Sequence, residues 1–371
     1  MSDIPEADRL GDFPHPREVA TLAGHGAAEQ ALFEAFMSGR MHHAWLLTGP
    51  KGIGKATLAY RAARFVLTYQ TPERVQTMGT RDLSVAADDP VFRQVAGRGH
   101  PDLAVLHRPY DDKAKRLKTV IPVEEVRRAT GMFSKSAGAG GWRVCIVDTA
   151  DEMNHNAANA LLKILEEPPA RGLFLVVSHQ PGKLLPTIRS RCRTLTLGAL
   201  GEDDIMNVLA ANQAAPDADE ARAIALLAEG SAGRALEIAA GGGLELYREL
   251  VMLLQELPRL DVLGVHSLAG KVARRGAEQA YASLMELMSD WLVRLIRAGA
   301  GRALAEDIVA GEGEAMRRLA GVSDLDRWVE VWEKISQSAA RAEALNMDRR
   351  LVILNAFSML EGAATGGPAR V

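Results

Sequence analysis

The chain has 371 residues, 47% of them apolar and 25% charged, and a formal net charge of -3. That mixture folds instead of staying disordered, and the length suggests roughly two to three domains. A weakly negative chain has no global field to recruit nucleic acid, so DNA contact must come from a local patch or a partner subunit.

In chain order, the first strong signal is Ala44-Trp45-Leu46-Leu47-Thr48, an apolar run that suits a buried parallel strand. It enters Gly49-Pro50-Lys51-Gly52-Ile53-Gly54-Lys55-Ala56 and then ATLAYRAARFVL, where Leu58, Ala62, Phe65 and Val66 recur on one side of a helix. Strand, glycine-rich loop and helix are the context of a phosphate-binding loop. Gly49, Gly52 and Gly54 let backbone N–H groups approach phosphates, and Lys55 is the cation over the β and γ oxygens. The next position normally holds Ser or Thr for Mg²⁺, and here it is Ala56. A methyl group cannot ligate a hard cation. Thr57, one residue later, points about 100° further round the helix. The loop is expected to hold ATP or ADP weakly, without good metal chemistry.

From Thr71 to Gly99 the chain is polar and aperiodic, and reads as an insertion or a long connection. Asp102 to His107 reads as a strand, with the basic run Lys113 to Lys118 in the turn after it. Such a run is either a solvated loop face or a nucleic-acid contact. Val123 to Phe133 has helical spacing, and Gly138 to Gly141 break the chain. Trp142 to Asp148 is then an apolar strand ending in an acid. In P-loop ATPases such a strand delivers an aspartate to the Mg²⁺ shell, followed by a glutamate that polarises water. Asp148 fits the first role, but Thr149 follows it and cannot take a proton at neutral pH. Asp148 also reads as a strand-end acid capping the next helix. Cys145, inside the apolar run, reads as a small core residue.

Asn156 to Glu167 follows as a helix with Ala157, Ala160, Leu161, Ile164 and Leu165 on one face, ended by Pro168-Pro169. Leu173 to Val177 is another buried strand, and His179 at its end is assigned a structural role. This alternation implies a parallel sheet with ligand sites at the carboxyl ends of its strands. From about Leu244 helical stripes dominate, such as Leu284, Leu287, Met288, Trp291 and Leu295, or Trp328, Val331, Trp332 and Ile335. They read as core. The last ten residues, GAATGGPARV, read as a flexible tail.

Three stretches, GRMHHAWLLTGPKGIGKATLAYRAA, RVCIVDTADEMNHNAANALLKILEEPP and GKLLPTIRSRC, resemble in order and spacing the clamp-loader branch of the AAA+ ATPases. Within it they are most similar to the delta-prime family of bacterial DNA polymerase III. The resemblance is strong over residues 16 to 200 and weaker through Gly230 to Leu236 and Leu345 to Arg350. It implies an α/β fold, with an AAA+ P-loop core and parallel sheet over residues 1–198, a small helical lid over 199–243 and an all-helical collar over 244–371. It implies that Ser190-Arg191-Cys192 is the family's SRC motif, with Arg191 reaching the ATP of a neighbouring subunit. Without that context, SRSRCR reads as a basic surface turn. Arg234 matches a lid arginine that senses nucleotide.

The implied partners are gamma/tau motor subunits and a delta subunit, and through the complex the sliding clamp and primer-template DNA. In one respect the chain departs from many relatives. The region Thr71 to His100 lacks their four-cysteine zinc module, and the only cysteines, Cys145 and Cys192, have no second ligand nearby in sequence, so no zinc is expected. An active motor subunit is the competing reading, which Ala56 and Thr149 disfavour. A P-loop kinase would need neither the Ser-Arg-Cys triplet nor an all-helical third. The acidic, proline-punctuated start lacks signal-peptide regions, and no run of about 18 apolar residues offers a membrane span. The expectation is a cytoplasmic protein.

Overall fold

The computed structural model describes residues 5–134, 141–302, 306–345 and 347–366. They fall into two units, Met1–Gln213 with Ala228–Leu236, and Ala214–Leu227 with Glu237–Val371. The first unit starts with α1 (Gly26–Met37), β1 (Ala44–Thr48) and α2 (Lys55–Tyr69), then α3 (Pro72–Met78), α4 (Pro90–Ala96) and β2 (Leu103–Leu106). A short hairpin of β3 (Tyr110–Asp111) and β4 (Arg116–Leu117) precedes α5 (Val123–Ser134) and β5 (Arg143–Val147). After these come α6 (His155–Glu166), β6 (Gly172–Ser178), α7 (Pro186–Arg191), β7 (Arg193–Thr196) and α8 (Glu202–Ala211).

Five strands form one sheet in the order β2-β5-β6-β1-β7, every neighbouring pair parallel. This is the α/β class and parallel sheet expected from the sequence. All of β1 and β6 is buried, which is why they read as continuous apolar runs and not as alternation. Alternate residues still face opposite sides. Trp45, Leu47, Ile146 and Val177 join a cluster with Leu32, Phe36, Leu58 and Phe65. Ala44, Leu46, Cys145, Val147 and Val176 join the other, with Val126, Leu161 and Ile188.

Three sequence readings need correction. First, α2 is buried nearly all round, from Leu58 to Leu67, including Arg61 and Arg64. The chain ahead of α1 covers its expected solvent face. Arg64 donates from Nη1 to the Arg17 carbonyl at 2.8 Å and from Nη2 to the Val19 carbonyl at 2.6 Å, while Arg61 holds the Ala20 carbonyl and Glu29. Burial lowers the Arg64 guanidinium to about 10, and it lies 4.4 Å above the Phe92 ring.

Second, the Thr71 to Gly99 connection contains α3 and α4. Each opens with proline, and Asp89 Oδ1 accepts the Val91 N–H at 2.7 Å to cap α4. Seven-residue helices are too short to display a period. Buried Val75, Leu83, Phe92 and Val95 hold the connection by ordinary packing. Third, the basic run does not sit in a simple turn, because Arg116 and Leu117 pair with Asp111 and Tyr110 in the β3–β4 hairpin. Of the Gly138 to Gly141 break, only Gly141 lies within the described residues.

The second unit contains α9 (Ala218–Leu227), and α10 (Ala232–Ala240) runs into it from the first. Then come α11 (Gly243–Gln255), α12 (Val262–Val272), α13 (Glu278–Gly299), α14 (Glu312–Ala320), α15 (Leu325–Leu345) and α16 (Arg349–Ala364). The predicted stripes are core: Leu284, Leu287, Met288, Trp291, Leu295, Trp328, Val331 and Ile335 are buried. Trp332 is half-buried and donates from Nε1 to Ser289 Oγ at 2.7 Å. Of the expected tail, Gly362 to Ala364 belong to α16, and residues 367–371 lie outside the described residues.

A buried charge organises this unit. Glu312 is fully buried, and its Oε1 accepts from Arg294 Nη1 at 2.7 Å and from the Tyr247 hydroxyl. Its Oε2 accepts the Ile308 and Val309 N–H groups at 3.2 and 3.3 Å. A buried carboxylate is tolerable only with such a set of donors. Glu312→Ala would strand Arg294, and is expected to cost about 3–5 kcal/mol of unfolding free energy. Urea titration of the full chain followed by tryptophan fluorescence measures it. A loss under about 1 kcal/mol would mean that water replaces the carboxylate at little cost.

Candidate functional site

The glycine-rich loop leaves the carboxyl end of β1. Gly49, Gly52 and Gly54 have φ of 138°, 77° and 106°, a region that strains any residue with a Cβ. Neighbours also exclude one. A Cβ on Gly49 would lie 2.3 Å from the Leu197 carbonyl oxygen, and one on Gly52 2.3 Å from Ser231 Oγ. Lys55 is buried, and its Nζ donates to the Gly49 carbonyl at 2.7 Å and to that of Pro50. Burial lowers its amine to about 8, against the pull of Asp148 and Asp151. Ala56 and Thr57 are half-buried in the first turn of α2.

The start of α10 closes on this loop. Gly233 N–H donates to the Gly52 carbonyl at 2.8 Å, and Ser231 Oγ donates to the Lys51 carbonyl at 2.9 Å. Ser231 Oγ also accepts the Arg234 N–H at 3.2 Å, so Arg234, half-buried in the same turn, stands beside the loop. In the sequence, Ser231 and Gly233 lie within the Gly230 to Leu236 segment and stand out by no motif of their own. Their small size, which permits the approach, is the signal they carry.

Asp148 follows β5 and is buried. Burial raises its carboxyl to about 7, with Asp8 and Glu152 adding to the rise and Lys55 opposing it. It does not cap the next helix, because Asn154 Oδ1 takes that role on α6 by accepting the Ala157 N–H at 2.8 Å. Asp151, which the sequence reading passed over, is the structural acid here. It accepts from Ser178 Oγ at 2.7 Å, from the His179 N–H at 2.5 Å and from the Gln180 N–H at 3.3 Å, tying the turn after β5 to the end of β6. The His179 imidazole is lowered to about 4 by burial and then by Lys55, so it is neutral at physiological pH. Glu152 pairs with Arg108 at 2.9 Å. Donors for a phosphate are therefore present in the loop. At the position after Lys55 the side chain is the methyl group of Ala56, and Asp148 lies buried near Lys55.

Arg191 is elsewhere. It ends α7 and so lies in a helix, not in the surface turn that SRSRCR alone suggests. Strand β7 begins two residues later and pairs with β1 from Trp45↔Arg193 to Thr48↔Thr196. Arg191 thus lies at the amino edge of the sheet, while its own phosphate loop lies at the carboxyl edge, across four paired residues, or roughly 13 Å of strand. Its Nη1 donates to the Thr187 carbonyl at 3.0 Å, and its Nη2 lies 2.7 Å from Glu166 Oε1. The guanidinium is about one-third exposed. The adjacent Cys192 thiol is pushed up to about 11 by burial and is not a nucleophile. The structure therefore joins Gly49, Gly52, Gly54, Lys55, Ala56, Thr57, Asp148 and Arg234 around the loop, and leaves Arg191 on the opposite edge.

Among the described residues, Glu6, Asp8 and His15 bring potential metal-binding atoms within 4.8 Å of one another. Their bonding is that of a salt bridge. Arg17 and Arg98 both contact Glu6. The Arg17 N–H donates to His15 Nδ1 at 3.1 Å, which puts the proton of a neutral ring on Nε2, 2.9 Å from Asp8 Oδ2.

Residues 24–201 match the family described as "DNA polymerase III, delta subunit". Over these residues, just under half of its length, the chain is similar to that family. It is 39% identical over 165 residues to the DNA polymerase III subunit delta' of Pseudomonas aeruginosa, covering 44% of this chain and 46% of that protein. It is 32% identical over 212 residues to subunit delta' of Escherichia coli, covering 57% and 59%. Subunit tau of Salmonella typhimurium is 31% identical over 194 residues, covering 52% of this chain and 27% of that one. The chain thus matches about half the length of its delta' relatives, or somewhat more.

The raised carboxyl of Asp148 has a consequence for stability. Between the ordinary aspartate value of 3.8 and about 7, the folded chain holds a proton that the unfolded chain has lost. Stability should therefore fall as pH rises through that window. Asp148→Asn removes this dependence. The variant is expected to melt above the parent at pH 8 and close to it at pH 4, as read by thermal unfolding. Parallel melting profiles at the two pH values would contradict the assignment.

Proposed function

We propose that this chain is a delta'-type subunit of the bacterial clamp loader that does not hydrolyse ATP itself. In this reading it donates Arg191 to ATP held by a neighbouring subunit and so helps load the sliding clamp on primed DNA during replication. The observation that carries it is the separation of Arg191 from its own loop by the width of the sheet. A guanidinium at the amino edge cannot serve a phosphate at the carboxyl edge of the same fold, so the phosphate it serves belongs to another chain. A planar cation supplied in trans stabilises charge developing on a transferring phosphoryl group.

The loop supports the other half of the reading. If ATP or ADP binds, the N–H groups around Gly49, Gly52 and Gly54 and the Lys55 amine would hold it, and Lys55 would exchange its carbonyl partners for phosphate oxygens. The bound nucleotide would supply only its own phosphates. The position after Asp148, where a glutamate would act as general base, is Thr149. We further propose that residues 199–243 act as a lid and 244–371 as the collar through which the chain joins gamma/tau and delta subunits, and that it works in the cytoplasm. Among the described residues no helix is long and apolar enough to cross a membrane.

The second reading, an active motor subunit, is favoured by the similarity to proteins named gamma and tau over 194 residues. Ala56 and Thr149 weigh against it. The isolated chain is expected to show no ATP turnover above background. Hydrolysis by pure protein that Lys55→Ala abolishes would favour the motor reading. In a reconstituted complex, Arg191→Ala is expected to leave assembly intact and lower the DNA-stimulated ATPase, with Arg191→Lys restoring little of it. Full ATPase from a normally assembled Arg191→Ala complex would remove the trans-acting role.

A further inference from the structure

We infer that Glu166 is the positioning residue for Arg191, an inference that rests on the trans-acting reading of Arg191. In a parallel sheet, helices that follow strands begin at the carboxyl edge and end at the amino edge. Helix α6 connects β5 to β6, and α7 lies between β6 and β7, so Glu166 and Arg191 are the last residues of two helices that finish on the same edge. The two helices pack together, and Glu166 Oε1 lies 2.7 Å from Arg191 Nη2.

An acid in the last turn of a helix opposes the helix dipole, so local energetics do not explain Glu166. Its pairing does. The Arg191 guanidinium is anchored at two points, Nη2 on Glu166 and Nη1 on the Thr187 carbonyl. A guanidinium offers five N–H donors in a fixed fork, so this anchorage fixes the plane of the group and leaves the rest of the fork for a phosphate. Both side chains are partly exposed, at 34% for Arg191 and 43% for Glu166. The contact is therefore one that a neighbouring subunit can reach. Ordering a long side chain before the neighbour arrives removes part of the rotamer freedom that would be lost on engagement.

The test uses Glu166→Ala and Glu166→Gln in the complete reconstituted complex, with assembly followed by gel filtration. Glu166 is exposed enough that both variants should fold and assemble. An exposed ion pair of this kind predicts that Glu166→Ala lowers the Arg191-dependent share of DNA-stimulated kcat about two- to fivefold. The ATP KM should stay unchanged, because a finger acts on the transition state. Glu166→Gln keeps an oxygen for Nη2 and should recover part of the rate. In an Arg191→Ala background, Glu166→Ala should add nothing. If Arg191→Ala itself has no effect, the trans-acting reading fails and this inference with it. If Arg191→Ala lowers the rate but Glu166→Ala leaves it unchanged, raises it, or lowers it equally without Arg191, only the positioning role is overturned.

Discussion

The parallel pairing of β1 between β6 and β7 is the constraint from which the placement of every functional side chain follows. Neighbouring parallel strands must be joined by crossovers that return from one edge of the sheet to the other. Loops that follow strands therefore collect on the carboxyl edge, and helix ends that precede strands collect on the amino edge. The glycine-rich loop after β1, Asp148 to Asp151 after β5 and Ser178 to Gln180 at the end of β6 share the first edge. Glu166 and Arg191 share the second. The glycine-rich loop and Arg191 are thus kept apart by backbone topology before any side chain is considered.

On the carboxyl edge, burial acts on an acid and a base in opposite directions and weakens both. It lowers Lys55 to about 8 and raises Asp148 to about 7. Each charge favours the other, yet desolvation is the largest influence on both. Asp151 escapes this, because a hydroxyl and two backbone N–H groups converge on its carboxylate. The acid that serves the structure is thus distinct from the acid at the ligand position.

Long apolar runs and the loop signature were legible in the sequence because both are local. Ala44–Thr48 and Leu173–Val177 could only be buried strands, and glycines spaced about Lys55 could only make that loop. What stayed hidden depends on contacts between distant residues. The full burial of α2 could not be read from its own stripe, because Arg61 and Arg64 look like solvent-facing charges until Val19 and Ala20 are found over them. The proline-led α3 and α4 are too short for periodicity to reveal. Ser178 and Asp151 lie 27 residues apart, so their bond leaves no pattern. Arg191 was identified by resemblance alone, and its helical setting and its pairing with Glu166 came only from the fold.

With Ala56 after Lys55 and Thr149 after Asp148, the chain still keeps an intact glycine-rich loop, and packing is sufficient reason. Gly52 touches the start of α10 so closely that a Cβ would strike Ser231, and its carbonyl accepts the Gly233 N–H. Gly233 is equally confined, since a Cβ there would come 2.9 Å from the Gly52 Cα. Lys55 meanwhile satisfies the Gly49 and Pro50 carbonyls, which would otherwise turn inward without donors. The loop is a joint between β1, α2 and the start of α10, with Gly49 and Gly52 held by steric exclusion and Gly54 by its positive φ. Retention of the signature therefore follows from the architecture and does not by itself imply turnover. Ala56, half-buried, and Thr149, buried, are the two positions at which the loop and the end of β5 depart from that signature.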